Sequence, residues 1–156
     1  MRPSIEHVRL WFGYDPDRGV LLRKLKYRND LSDEVPLEKR VYFLGKRYPY
    51  SHIIWVVHYG KWPDEIIDHK DHNQLNFKIN NLREATQNQN QHNKLSWGPY
   101  GKGVSLDDST YRARPFVARI SINSKSIFLG SFATAEEAAE AYRQAAIKYH
   151  GEFACV

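Results

Sequence analysis

Cysteine is nearly absent from this 156-residue chain: the single one, Cys155, stands next to last. One thiol excludes a disulfide framework and any cysteine-built zinc site, and it fits a reducing compartment. Long hydrophobic runs are absent too. No stretch of roughly 18 apolar residues occurs, and the opening MRPSIEHVRL has no apolar core of a secretion signal. The expectation is a cytoplasmic protein with no membrane partner. Charge of one sign is not dominant either. The 23 Lys and Arg against 18 Asp and Glu leave a net of +5, which leans toward a polyanionic partner without deciding for one.

Apolar residues and aromatics are not lacking. Apolar content is 42%, with four Trp, ten Tyr and seven Phe, enough for a core and too much for global disorder. Residues 4–12 predict a short helix capped by Ser4. A turn at YDPDRG precedes a strand over 20–28, then a polar loop over 29–40. Residues 41–50 predict a hairpin with Gly45-Lys46 at its centre, and Ser51 is expected to cap an apolar helix closed by Gly60. IIDH and LREAT predict short strands, and Thr86 is expected to cap a helix over QNQNQHNK. Asn is a poor helix former, so its retention there suggests that the side chains serve another purpose.

LSWGPYGKG (95–103) predicts a linker. Beyond it, FVARISI (116–122) and SIFLGSF (126–132) alternate as strands around an NSK turn. A helix follows, opened by a Thr134–Glu137 capping box and stopped by Gly151. Its expected buried stripe is Ala135, Ala138, Ala139, Tyr142, Ala145, Ala146 and Tyr149. Alternation turns Ala118, Ile120, Ile122, Ile127 and Leu129 toward this helix, and Val117, Arg119, Ser121, Ser126 and Phe128 away from it. The fold class expected is α+β.

The chemistry gathers in 66–93, IIDHKDHNQLNFKINNLREATQNQNQHN. Carboxylate and amide oxygens such as those of Asp68 and the Asn residues are hard ligands that suit Mg²⁺, Mn²⁺ or Ca²⁺. His69, beside Asp68, is a base type that works near pH 7. Two strands, a loop and a capped helix are a compact way to hold one ion against a phosphate.

This stretch resembles the HNH endonuclease motif, a β-β-α-metal fold, in the subgroup whose last His is replaced by Asn. The matching pieces are Ile67-Asp68-His69, Ile79-Asn80-Asn81-Leu82-Arg83, Ala85-Thr86 and Asn90-Gln91-His92-Asn93, with His52-Ile53-Ile54-Trp55 resembling the helix that often precedes them. The resemblance implies that Asp68 and Asn90 bind one Mg²⁺ or Mn²⁺, that His69 activates water, and that Asn81 orients the His69 imidazole. Asn93 is the nearest competitor to Asn90, and His72 a further candidate. The chain departs from the pattern at His72, where Gly is common, at Phe77, where Asn is common, and at Ile53, where Arg is usual.

The C-terminal stretch resembles the APETALA2 (ethylene-response-factor) DNA-binding domain, three antiparallel strands on one helix. Its matching pieces are Gly103-Val104, Phe116-Val117-Ala118, Phe128-Leu129-Gly130, Phe132-Ala133-Thr134 and the Ala-rich helix. In that family the sheet enters the major groove, so the resemblance implies DNA contacts from Lys102, Ser105, Arg112, Arg114, Arg119, Ser121, Ser126 and Phe128. The expected organisation is a nuclease domain over 1–95 with its motif in 66–95, a linker over 96–103, and a DNA-binding domain over 104–156. HNH nucleases carrying such a domain are typical of phage and mobile elements. The combination implies a site-specific homing endonuclease acting on double-stranded DNA in a host cytoplasm, without a small-molecule cofactor. Two alternatives stay open: a DNA-binding regulator with a silent nuclease motif, and an HNH nuclease of restriction or DNA packaging.

Overall fold

A computed structural model describes residues 2–24, 33–95, 98–107 and 113–155. The chain divides into two compact units, Met1–Thr86 and Gln87–Val156, a division that falls ahead of the linker expected at 96–103. It mixes short helices with small antiparallel sheets, an α+β fold.

In the first unit, α1 (Ile5–Trp11) is capped by Ser4, whose hydroxyl accepts from the His7 N–H. Phe12, expected on that helix, instead starts a strand: its backbone is extended, and β1 (Phe12–Asp15) pairs with β2 (Val20–Arg23). The strand expected over 20–28 is described only to Arg23, and residues 25–32 lie outside the described residues. The second ribbon is β3 (Arg40–Phe43) with β4 (Lys46–Pro49), turned by Leu44 and Gly45 at φ 48° and 76°. Helix α2 (Tyr50–Tyr59) follows at once. Ser51 does not cap it. The helix starts two residues earlier, behind Pro49 and with no side-chain cap; the Tyr50 N–H is accepted by the Lys39 carbonyl, and Ser51 is buried in the first turn. Gly60 closes the helix in the left-handed region at φ 70°, as expected.

The third ribbon pairs β5 (Ile66–His69) with β6 (Leu82–Ala85). Val8, Phe12, Leu21, Val41, Phe43, Tyr50, Ile53, Ile54, Phe77 and Leu82 belong to one core that joins all three ribbons to α2. Tyr50 is its central post. Its hydroxyl accepts from the Leu21 N–H at 2.9 Å and donates to the Val35 carbonyl at 3.2 Å, while its ring packs at a tilt against Phe77, with centroids 4.5 Å apart.

In the second unit a short helix α3 (Gln87–His92) precedes a three-stranded sheet in the order β7 (Val104–Leu106), β8 (Phe116–Ile122), β9 (Lys125–Phe132). Helix α4 (Ala135–His150) has the full Thr134–Glu137 capping box, buries Ala138, and packs Tyr142, Ala145 and Ala146 toward Ile120. The small alanine stripe lets the helix lie close to the sheet. Gly103 shows how close: at φ 71° a Cβ there would stand 2.1 Å from the Tyr142 ring. The expected pattern of buried and exposed residues fails in places. A bulge between Ala118 and Arg119 breaks the β8–β9 register, and Val117 is buried rather than turned out. Ile127 on β9 and Tyr149 on α4, expected inside, are exposed.

Candidate active site

The β5–β6 ribbon aligns Asp68 opposite Arg83 and His69 opposite Leu82. Pairing is regular through His69, and the chain then turns at Lys70, whose N–H is accepted by the Asn81 carbonyl at 2.9 Å. Successive residues of a regular strand project to opposite sides. Asp68 faces the partner strand: Nε and Nη2 of Arg83 both reach its Oδ2, at 3.0 and 2.9 Å, and the carboxylate is 6% exposed. His69 packs edge-on against the Phe77 ring at 5.4 Å. Burial pushes the His69 imidazole below its ordinary value, partly offset by the negative charges of Asp68 and Asp71. A base with a lowered pKa is neutral, and so able to accept a proton, at pH 7.

The loop between the strands is ordered by Asp71, which the sequence did not single out. Its carboxylate accepts from the Asn73 N–H at 2.9 Å, the Asn76 amide at 2.6 Å and the Asn81 amide at 2.9 Å. Desolvation works against its charge, but the hydrogen bonds from Asn76, Asn73 and Asn81 together hold this carboxyl below the usual range. The Asn-rich sequence thus has a local use: Asn73 and Asn76 also accept the N–H groups of Leu75 and Lys78, two residues on. His72 takes the left-handed conformation at φ 64° where a glycine is common in the resembled motif. Phe77, the second departure, is the buried ring between Tyr50 and His69. Gly19 lies close behind the loop, where a Cβ would meet the Lys78 nitrogen at 2.8 Å.

Asn81 is not at the start of a strand. It ends a 3-10 turn, Ile79–Asn81, and Leu82 opens β6. Its amide nitrogen donates to Asp71 Oδ1 at 2.9 Å and to the Asn76 carbonyl at 2.8 Å, while its amide oxygen accepts from the Asp71 N–H at 3.0 Å. Both amide hydrogens therefore serve the loop that follows His69. Asn90 is half-buried on α3, in the second unit, whereas Asp68 and His69 are in the first. Asn93, just past α3, is 5% exposed.

Among the described residues no group of three or more His, Cys, Asp and Glu could hold a metal ion. On Asp68, both Arg83 contacts fall on Oδ2, and carboxylate oxygens are donors of the hard kind that Mg²⁺ and Mn²⁺ take together with water and phosphate oxygens.

Of the residues expected to meet DNA, Ser105, Arg114, Arg119, Ser121, Ser126 and Phe128 are exposed, and Arg112 lies outside the described residues. The Arg119 guanidinium sits 5.5 Å from the centre of the Phe128 ring, which is 55% exposed. Lys102 is half-buried and turned to backbone, donating to the carbonyls of His92 at 2.5 Å and Lys94 at 2.6 Å. No described helix is long and apolar enough to cross a membrane.

Over 115 residues the chain is 38% identical to an uncharacterized HNH endonuclease of Acanthamoeba polyphaga mimivirus, an alignment covering 72% of this chain and 58% of the relative. The chain thus aligns with little more than half the length of that relative. No solved structure matches the fold. Residues 48–92, which run from β4 through α2 and the β5–β6 ribbon to α3, match the HNH endonuclease family.

Proposed function

We propose that this protein is a metal-dependent, site-specific DNA endonuclease of the homing kind. The observation that carries the reading is the Asp68-His69 pair at the end of the β5 strand, within the stretch that matches the HNH family. Asp68 and Asn90 would hold one Mg²⁺ or Mn²⁺. That ion would stabilise charge on the scissile phosphate and the departing 3′-oxygen. His69 would take the proton of the attacking water, and Asn81 would orient its imidazole by fixing the loop that follows the strand. The products would be 5′-phosphate and 3′-hydroxyl ends.

Two surfaces support a duplex partner. The sheet of the second unit exposes Ser105, Arg119, Ser121, Ser126 and Phe128. In the first unit, residues 39–63 contain no Asp or Glu. The β3–β4 ribbon there presents Arg40, Lys46 and Arg47 to solvent, with Tyr42 71% exposed among them. A two-stranded ribbon of this kind has the width of a DNA major groove. We assign the nuclease role to 1–95 and DNA recognition to 104–156.

The buried Asp68–Arg83 pair favours a second reading, in which Asp68 is structural and the protein binds DNA without cutting it. Incubation of supercoiled plasmid with Mg²⁺ or Mn²⁺ separates the two. Nicking that stops in excess EDTA supports the nuclease, and intact plasmid under both ions supports the binder.

A further inference from the structure

Helix α3 should not stand by itself. It has six residues, Gln-Asn-Gln-Asn-Gln-His, none of them buried. Isolated helices shorter than ~12–15 residues are marginal even with better formers than Asn. Its C-terminal end is held by later parts of the chain. The Lys102 ammonium donates to the carbonyls of His92 at 2.5 Å and Lys94 at 2.6 Å, placing positive charge where a helix end leaves unsatisfied oxygens. The His92 ring stacks on His150, the last residue of α4, with centroids 3.6 Å apart and planes at 17°. The Asn93 N–H is accepted by the Gln89 carbonyl at 3.1 Å, and the Asn93 side chain is buried. All these groups belong to the second unit.

We propose that Lys102 and His150 are positioning residues for Asn90, gripping the end of α3 so that the Asn90 amide is held in one place. This rests on the reading of Asn90 as an ion ligand. It gives the second unit a task besides DNA recognition: it fixes the last piece of the HNH motif. It also gives Lys102 work that a surface phosphate contact would not require, because its ammonium is drawn onto two carbonyls.

Two measurements on the full chain test it. Hydrogen exchange of the α3 amides should quicken in Lys102→Met and His150→Ala, while those of β8 and α4 keep the wild-type rate. Binding of Mn²⁺ alone, followed by its paramagnetic resonance signal, should weaken ~10-fold or more in both variants, the usual effect of removing support behind a ligand. His150→Phe keeps a flat ring against His92 and should restore both values. If His150→Ala unfolds the unit, Lys102→Met and His150→Phe carry the test. Unchanged α3 exchange overturns the proposal. So does unchanged Mn²⁺ affinity in both variants when Asn90→Ala weakens it, a result that leaves Asn90 a ligand. If Asn90→Ala binds Mn²⁺ as tightly as wild type, the ligand reading itself fails and the positioning role falls with it.

Discussion

Both Nε and Nη2 of Arg83 converge on one oxygen of Asp68, at 3.0 and 2.9 Å, across the β5–β6 ribbon. The two side chains are 10% and 6% exposed. Removing one partner leaves the other charge buried. Arg83→Met is therefore expected to destabilise the protein by ~3–5 kcal/mol, the range for breaking a buried pair. Urea unfolding measures it, and a loss below about 1 kcal/mol, typical of surface pairs, would show that water reaches Asp68 freely.

His69→Ala is expected to lower cleavage by ~10²–10⁴-fold while affinity for duplex stays as in wild type, because a general base acts on the reaction and not on docking. Single-turnover cleavage and filter binding give the two numbers. Cleavage above about a tenth of wild type would remove His69 from the role, being less than the ~10²-fold minimum for a lost base.

The basic ribbon is expected to contact phosphates. Arg40→Ala with Arg47→Ala should reduce the slope of log K against log salt by about 1.8, at ~0.9 per phosphate lost, equally for every DNA sequence. A salt titration of binding with EDTA present checks this. An unchanged slope places the DNA elsewhere.

Arg119 stands over Phe128 on the exposed face of the second sheet. Arg119→Ala is expected to weaken binding by ~1–3 kcal/mol with relaxed preference at one base pair if the guanidinium reads a base edge. Equal weakening for all sequences would make it a phosphate contact. No change in affinity or salt slope would mean that this face does not meet DNA.

Tyr14 offers a test of the fold by pH. Its hydroxyl donates to the Phe77 carbonyl at 2.9 Å, and burial pushes the phenol from 10.0 up to about 12. Ionisation is easier in the unfolded chain, so this contribution to stability is complete below pH 10 and lost as pH rises toward 12. Thermal melts of wild type should fall across that window more steeply than those of Tyr14→Phe. Parallel curves would count against the burial of this hydroxyl.

The features legible in the sequence are those whose partners lie within a few residues. The Ser4 and Thr134 caps, the left-handed Gly60 and the tight turn at Asn123 and Ser124, with φ of 48° and 63°, are set by backbone sterics and the reach of a short side chain. The bounds of strand β8 were readable to the residue, although its alternation breaks beside the bulge after Ala118. Ser51 shows the limit: its hydroxyl could cap a helix, but the helix begins ahead of it, with the Tyr50 N–H accepted by the carbonyl of Lys39.

Only the tertiary structure decided what the polar residues of 66–93 do. Sequence marked Asp68, His69, Asn81 and Asn90 by resemblance, yet could not foresee that Asp71 gathers Asn73, Asn76 and Asn81, or that Arg83 closes on Asp68. Amides and carboxylates have several equivalent partners in a flexible chain, and strand pairing and burial select among them. The same holds for α3. Its composition argues against a helix, and a lysine and a histidine from later in the chain hold its end.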